Sequence, residues 1–283
     1  MSVNAPVRRP AQWSVIRHLP IHWLVGAGLV TGLLAWGVWL RLSGHDQLWM
    51  QAVHALPPSH LGTWVWSSLT NLGLGWSLLI LVMACDRRDG ALISLLLPVF
   101  VFGAALTHGL KGMIESVRPA ASEWAGQLFF IGDPITSANS TPSGHALTAA
   151  ATAALLAWWV KKAAPSLVLA AIAILVAWSR VVVGAHWPAD VFVGMALGAW
   201  LVWTVLAISQ LPKVSTGLLA LRKKIASPTG QAVVACLEIA SAMALAATKT
   251  GYPHGWPAVA LLSGLAALSG IWRLRLVIRQ RSH

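Results

Sequence analysis

The sequence predicts an all-α protein: a polytopic membrane helix bundle of eight transmembrane helices, six forming a core and two a C-terminal hairpin. Three observations lead there. Lys, Arg, Asp and Glu supply only 10% of the 283 residues, against about 25% in a soluble domain. Hydrophobic residues reach 57% and the mean hydropathy is +0.70. The apolar residues also gather in separate runs of the length that crosses a bilayer as a helix, roughly 17 to 25 residues. This composition excludes a disordered tail, a coiled coil and an ordinary soluble enzyme.

The eight runs are Ile21–Leu40, Trp64–Ala84, Ala91–Leu110, Gly144–Val160, Pro165–Gly184, Ala189–Ser209, Gln231–Ala247 and Trp256–Trp272. Arg8, Arg9 and Arg17 precede the first run, as in a secretion signal. It is too long for a signal core and no A-x-A site follows, so it reads as a retained signal-anchor. Between the first two runs, Leu48, Trp49, Val53 and Leu56 recur at helical spacing, which suggests a short interfacial helix. Ser67, Ser68, Thr70 and Asn71 in the second run read as glue between helices. Gly28-x3-Gly32 in the first run and Gly194-x3-Gly198 in the sixth allow close helix contact. The polar, basic stretch Leu211–Gly230 marks a module boundary before the final hairpin, which carries one intramembrane carboxylate, Glu238. Such an acid is either functional or hydrogen-bonded to a neighbouring helix. The domains are therefore a tail at 1–20, a core at 21–210 and a linker with hairpin at 211–283. Cys85 and Cys236 stand alone, without metal or disulfide spacing, and read as small packing residues.

The net charge of +12 reads as topology, not as a nucleic-acid face. Fifteen basic residues fall on the side of the N-terminus, among them Arg87 and Arg88 in the turn after the second run. Five fall on the other side: Arg41, Lys111, Arg118, Arg180 and Lys249. That bias puts both termini in the cytoplasm. Most of the 17 Trp fit interface belts, with Trp158 and Trp159 beside Lys161 and Lys162, and Trp187 and Trp256 at the outer surface.

Three of the five outer cations sit in polar segments that helix parity brings to one face. The first runs from Lys111 to Arg118-Pro119, the second is Thr141-Pro142-Ser143-Gly144-His145, and the third runs from Ser179-Arg180 to His186 and Asp190. Together they describe a phosphate site. Arginine forks suit phosphate oxygens. Ser143 is a natural N-cap, Gly144 admits close backbone approach, and the free N–H groups of that helix start attract an anion. Asp190, four residues after His186, can hold one imidazole nitrogen and aim the other at phosphorus. His145 remains as an acid for the leaving oxygen.

The pattern K-x6-R-P, P-S-G-H, S-R-x5-H-x3-D resembles that of the type-2 phosphatidic acid phosphatase superfamily, and all three blocks match in order between Lys111 and Asp190. The resemblance implies a six-helix membrane phosphatase core. It implies His186 as nucleophile through a phosphohistidine, Asp190 orienting it and His145 protonating the leaving group. Lys111, Arg118, Ser143, Gly144 and Arg180 would bind the phosphoryl oxygens. It implies no metal or other cofactor, and the outer face offers only Asp46, Glu115, Glu123, Asp133 and Asp190, without ligand-spaced clustering. The final two helices lie outside it.

The expected partner is a membrane lipid phosphate presented from the bilayer, with undecaprenyl diphosphate the first choice. Phosphatidylglycerophosphate, phosphatidate and lipid A phosphates stand as alternatives. Location in a bacterial inner membrane with a periplasmic site follows. A phosphotransferase using a lipid acceptor, and a non-enzymatic transporter or scaffold, are the rival functions. Glu115, four residues after Lys111, reads as its helical ion-pair partner. His108 reads as a packing residue near the site, and Asn139-Ser140-Thr141 fits a glycosylation acceptor.

Overall fold

The computed structural model describes residues 21–86 and 88–281. The predicted tail at 1–20, with Arg8, Arg9 and Arg17, and the turn residue Arg87 lie outside the described residues. The helices are α1 (Ile21–Ser43), α2 (His45–Val53), α3 (His60–Asn71), α4 (Gly75–Cys85), α5 (Ala91–Met113) and α6 (Gly144–Val160), followed by α7 (Ala163–Val182), α8 (Pro188–Ile208), α9 (Pro212–Ala226), α10 (Pro228–Ala247) and α11 (Trp256–Arg281). Regular structure among the described residues is helical throughout, and the protein is a multi-pass membrane protein. Among the described residues six helices are long and apolar enough to cross a membrane, and α6 is a shorter apolar helix of 17 residues.

The expected second span is not one helix. It divides into α3 and α4, bent by 70° at Leu72–Leu74. The sequence Asn71-Leu72-Gly73-Leu74-Gly75 explains the break, because glycines weaken a helix and mark kinks. The last turn of α3 tightens, with Gly73 N–H bonding to Thr70 O at 3.1 Å. A Cβ on Gly73 would stand 2.8 Å from the Cβ of His145, so the break admits α6.

In a bilayer apolar burial does not drive helix against helix, so small residues and polar contacts set the packing. Gly194 and Gly198 on α8 meet α6 backbone: Cβ atoms there would lie 2.5 Å from Ser143 O and 2.3 Å from Leu147 O. The α1 pair behaves otherwise. Gly28 and Gly32 face open space, and α1 approaches α8 through Gly37, against Phe192 and Val193. Leu29, Leu97, Leu167 and Leu268 are between 57% and 71% exposed, as expected of lipid-facing positions. Cys85 and Cys236 are also exposed, not packed inside.

At the end opposite the three polar segments, the Asp86 carboxylate caps α5 by accepting from Gly90 N (3.2 Å) and Leu92 N (3.0 Å). The predicted linker is helical: α9 lies there with no buried residue, and Arg222 Nε donates to Asp89 O at 2.9 Å. Glu238 is a paired carboxylate. It meets Arg273 Nε at 3.1 Å and accepts from Ser269 Oγ at 2.8 Å. Arg273 also donates to Gln231 Oε1 (2.7 Å) and Asp86 O (2.9 Å), which fastens the α10–α11 hairpin to the end of α4.

Candidate active site

All three polar segments meet at one end of the bundle. The 111–118 segment joins the second through Ser116, whose carbonyl accepts from Ser140 N at 2.9 Å and whose Oγ accepts from Thr141 N at 2.8 Å. It joins the third through Arg118, whose Nη1 donates to Ala185 O at 2.8 Å, and through Trp187 Nε1, which donates to Val117 O at 2.8 Å. Ser143 N donates to Asp190 O at 3.0 Å, closing the ring. Trp187 is therefore a buried tie and not part of an interface belt, whereas Trp256 is 59% exposed.

His186 sits in the turn between α7 and α8, where Pro188 opens α8 and fixes the entry of the chain. Its Nδ1 faces Asp190 Oδ2 at 3.4 Å. Its Nε2 faces Arg118 Nη1 at 3.2 Å. A guanidinium can only donate, so Nε2 carries the lone pair and Nδ1 the proton. Burial holds the His186 pKa well below its usual 6.5, outweighing the opposing hydrogen bond to Asp190, and the Arg118 charge adds to the effect. The imidazole is thus neutral across ordinary pH. Burial also pushes the Arg118 guanidinium down, helped by the charge of Arg180.

Asp190 is fully buried and densely held. Ser140 Oγ donates to its Oδ2 and Thr141 Oγ1 to its Oδ1 in very short contacts. Trp187 N donates to Oδ2 at 3.0 Å, and Arg41 Nη2 to Oδ1 at 2.6 Å. Arg41 at the end of α1 also contacts buried Asp46 on α2 at 3.3 Å. Asp46 in turn accepts from Ala189 N at 2.8 Å. Burial, against the opposing charge of Arg41, raises the Asp46 pKa from 3.8 to about 6.

Arg180, 2% exposed, directs Nη1 to Thr70 Oγ1, in a very short contact, and to Tyr252 Oη at 3.1 Å. Its Nε is buried without a partner, and among the described residues nothing accepts from the Nε–Nη2 edge. An arginine edge of that kind can donate two parallel bonds to the oxygens of one anion. Ser143 caps α6 by accepting from Ala146 N at 3.4 Å. Its own N–H serves Asp190 O, so the unpaired donors at this helix start are the N–H groups of Gly144 and His145. The half-buried His145 ring lies within electrostatic reach of Arg180, His186, Lys111 and Arg118. Lys111 Nζ donates to Asn139 O at 3.1 Å.

Several expectations change here. The Lys111–Glu115 ion pair does not form among the described residues, because α5 ends at Met113 before the next turn could align the two. His108 is exposed on α5 and packs no core. Ser140 and Thr141 are buried on Asp190, which occupies the hydroxyl of the glycosylation-like triplet. Thr70, read as helix glue, holds Arg180, while Asn71 Nδ2 does join helices by donating to Gly255 O at 3.1 Å. Thr141, which opens the second segment, holds Asp190, whereas Arg41, Asp46, Ser137 (3.0 Å from Arg118 Nε), Ser140 and Tyr252 are additions of the structure to the site. Two had a legible signal: Arg41 departs from the basic-inside bias, and Tyr252 is the one tyrosine. Among the described residues no group of three His, Cys, Asp or Glu side chains could hold a metal ion.

An all-helical membrane bundle with a histidine–aspartate pair and three cations at one end defines a class. Residues 91–212 match the PAP2 superfamily. A phosphatidylglycerophosphatase B of Bacillus subtilis is 31% identical over 160 residues, which cover 50% of this chain and 72% of that protein. The chain belongs to the PAP2 superfamily. A lipid A 1-phosphatase of Rhizobium johnstonii is 38% identical over 35% of this chain and 41% of its own length. An undecaprenyl-diphosphatase of Sulfolobus acidocaldarius is 32% identical over 49% of this chain and 60% of its own. The chain thus spans about half the length of these last two relatives. The crystal structure of a transmembrane PAP2-type phosphatidylglycerolphosphate phosphatase from Bacillus subtilis superposes with a TM-score of 0.52 at 26% identity, covering 66% of this chain and 95% of that one.

Proposed function

We propose that the protein is a metal-independent lipid phosphatase that removes phosphate through a phosphohistidine at His186, with undecaprenyl diphosphate as its substrate. One observation carries the reading: the His186 lone pair faces Arg118 while Nδ1–H faces Asp190. A phosphoryl oxygen arriving at Arg118 takes over that N–H and releases Nε2 to attack phosphorus. As the P–N bond forms, the P–O bond to the leaving group breaks, and His145 gives its proton to the departing oxygen. Asp190 stabilises the proton left on Nδ1. Water then attacks the phosphohistidine and returns a proton to His145, and the P–N bond breaks to release inorganic phosphate. Lys111, Arg118, the free edge of Arg180 and the N–H groups of Gly144 and His145 neutralise the equatorial oxygens. Ser143 supports them as the helix cap.

A diphosphate suits a site where Lys111, Arg118 and Arg180 face a single carboxylate already paired with Arg41. The undecaprenyl-diphosphatase relative supports the same choice. The charge bias supports an inner-membrane protein with both termini cytoplasmic and the site periplasmic. The catalytic core then comprises residues 21–210, with the hairpin of 211–283 appended.

The test is release of inorganic phosphate by purified protein, without a lipid acceptor, from a panel of undecaprenyl diphosphate, phosphatidylglycerophosphate, phosphatidate and lipid A. Undecaprenyl diphosphate is expected to give the highest kcat/KM, undiminished by EDTA. His186→Ala is expected to lose more than about a thousandfold. Release that requires an acceptor lipid, or that survives His186→Ala, overturns the hydrolase or the nucleophile respectively.

A further inference from the structure

The C-terminal hairpin lies outside the 91–212 family match, yet its loop reaches the phosphate end of the bundle. Between α10 and α11 the chain passes through Gly251, Tyr252 and the 3-10 turn Pro253–Gly255. Each step is seated on the core. Asp133 N donates to Gly251 O at 2.9 Å, and a Cβ on Gly132 would lie 2.2 Å from that oxygen. Gly255 fits against α3, where a Cβ would strike Asn71 Nδ2 at 2.3 Å and Ser67 O at 2.4 Å. Tyr252, 5% exposed, packs with Ile131, Val182, Val183 and Ala185, and its Oη meets Arg180 Nη1 at 3.1 Å.

From this we propose that Tyr252 is a positioning residue for phosphate capture, and that the hairpin exists in part to deliver it. The inference rests on the reading of Arg180 as a phosphate ligand. A guanidinium rotates freely about its long stem unless one edge is fixed. Thr70 from the last turn of α3 and Tyr252 from the hairpin fix Nη1 from two elements distant in sequence. The opposite edge, Nε and Nη2, is thereby presented without a protein acceptor. The Tyr252 ring reinforces the placement, with Arg180 Cζ 5.4 Å from its centroid. Removing the hydroxyl frees the fork while leaving the ring, the packing and the backbone seats of the loop in place.

The experiment compares Tyr252→Phe, Thr70→Val and the double variant of the full-length protein with His186→Ala, in the phosphate-release assay and with vanadate as the five-coordinate mimic. Tyr252→Phe is expected to lower kcat/KM by roughly 10- to 100-fold, the range of a hydrogen bond to a charged group. The vanadate inhibition constant should rise by the same factor, and the melting temperature should stay unchanged. The double variant should lose less than the product of the single losses, because both hydroxyls hold one nitrogen. Wild-type kcat/KM in Tyr252→Phe overturns the proposal. So does a loss of activity with vanadate affinity intact, which marks a smaller folded fraction. If His186→Ala is as active as wild type, the reading of the site itself fails. An inactive His186→Ala beside a fully active Tyr252→Phe removes only the role of the hairpin.

Discussion

Replacing Arg41 by Gln tests whether the α1–α2 elbow takes part in catalysis. Arg41 touches no proposed phosphate ligand. It reaches the chemistry through Asp190, to which it donates at 2.6 Å. A hydrogen bond between charged groups contributes about 1.5–3 kcal/mol, and about 1.36 kcal/mol is a factor of ten in rate. Full loss would then slow the reaction by about 10- to 150-fold. The Arg41 side chain is 32% exposed, so water takes over part of its role, and the expected fall in kcat is nearer 10- to 30-fold. KM should move less than about threefold, because the oxygens of the substrate are held by other groups. Arg41→Lys should recover part of the rate, since one ammonium can reach Asp190 but cannot also bridge to Asp46. The variant leaves Asp46 buried beside no cation, so Asp46→Asn in the same background should raise the melting temperature without restoring kcat. Steady-state kinetics on the three proteins decides it. A kcat within twofold of wild type, or a KM that rises more than kcat falls, would refute the argument.

Asp46 also predicts a pH effect on stability. Its folded pKa of about 6 lies above 3.8, so the folded state binds its proton more tightly. Stability from this group is present below about pH 4 and is lost as pH rises through 6, by on the order of 3 kcal/mol. Asp46→Asn should abolish that slope, so that wild type loses more melting temperature than the variant between pH 4.5 and 7.5; equal losses would contradict it. Glu238→Ala strands the Arg273 guanidinium, which keeps Gln231 and two carbonyls, and should destabilise by about 3 kcal/mol, the low end for a broken buried pair. Chemical denaturation in detergent reads that value, and an unchanged midpoint would make the pair dispensable. Gly198→Ala places a methyl 2.3 Å from Leu147 O, should cost about 1–3 kcal/mol, and should lower kcat by parting α6 from α8. Thermal melting together with phosphate release checks both effects.

The apolar runs and the meeting of the three segments at one end were legible because bilayer thickness and charge bias act on single stretches of chain. Lys111, Arg118, Ser143, Gly144, His145, Arg180, His186 and Asp190 lie in short windows, and parity alone puts those windows on one face. The break at Leu72–Leu74 carries a local signal in Gly73 and Gly75, but hydropathy runs through it as through a span, and the packing of Gly73 against His145 and Val176 is set at a distance. Arg41 and Tyr252 stand out singly in the sequence, but their partners do not. One lies 149 positions from Asp190 and the other 72 from Arg180, and no local pattern encodes such a meeting. Gly28-x3-Gly32 shows the opposite failure: a packing signature carries no information about whether a partner is present.

The distant contacts also answer how a polar site keeps its shape in this environment. Lipid tails are as apolar as a leucine core, so helix association gains little from apolar burial. The charged groups of the site are instead tied by hydrogen bonds, several of them buried. Arg41 from the first helix holds Asp190. Thr70 from the broken span and Tyr252 from the hairpin hold Arg180. Ser137, in the loop after α5, holds Arg118 at 3.0 Å. Each tie comes from a different element, so a shift of any one of them drags a charged group off a partner. A buried guanidinium without a partner costs several kcal/mol, and that penalty resists the shift. The orphaned Nε of Arg180 is the exception. Among the described residues its Nε–Nη2 edge meets no acceptor, and the proposed function assigns that edge to a phosphoryl oxygen.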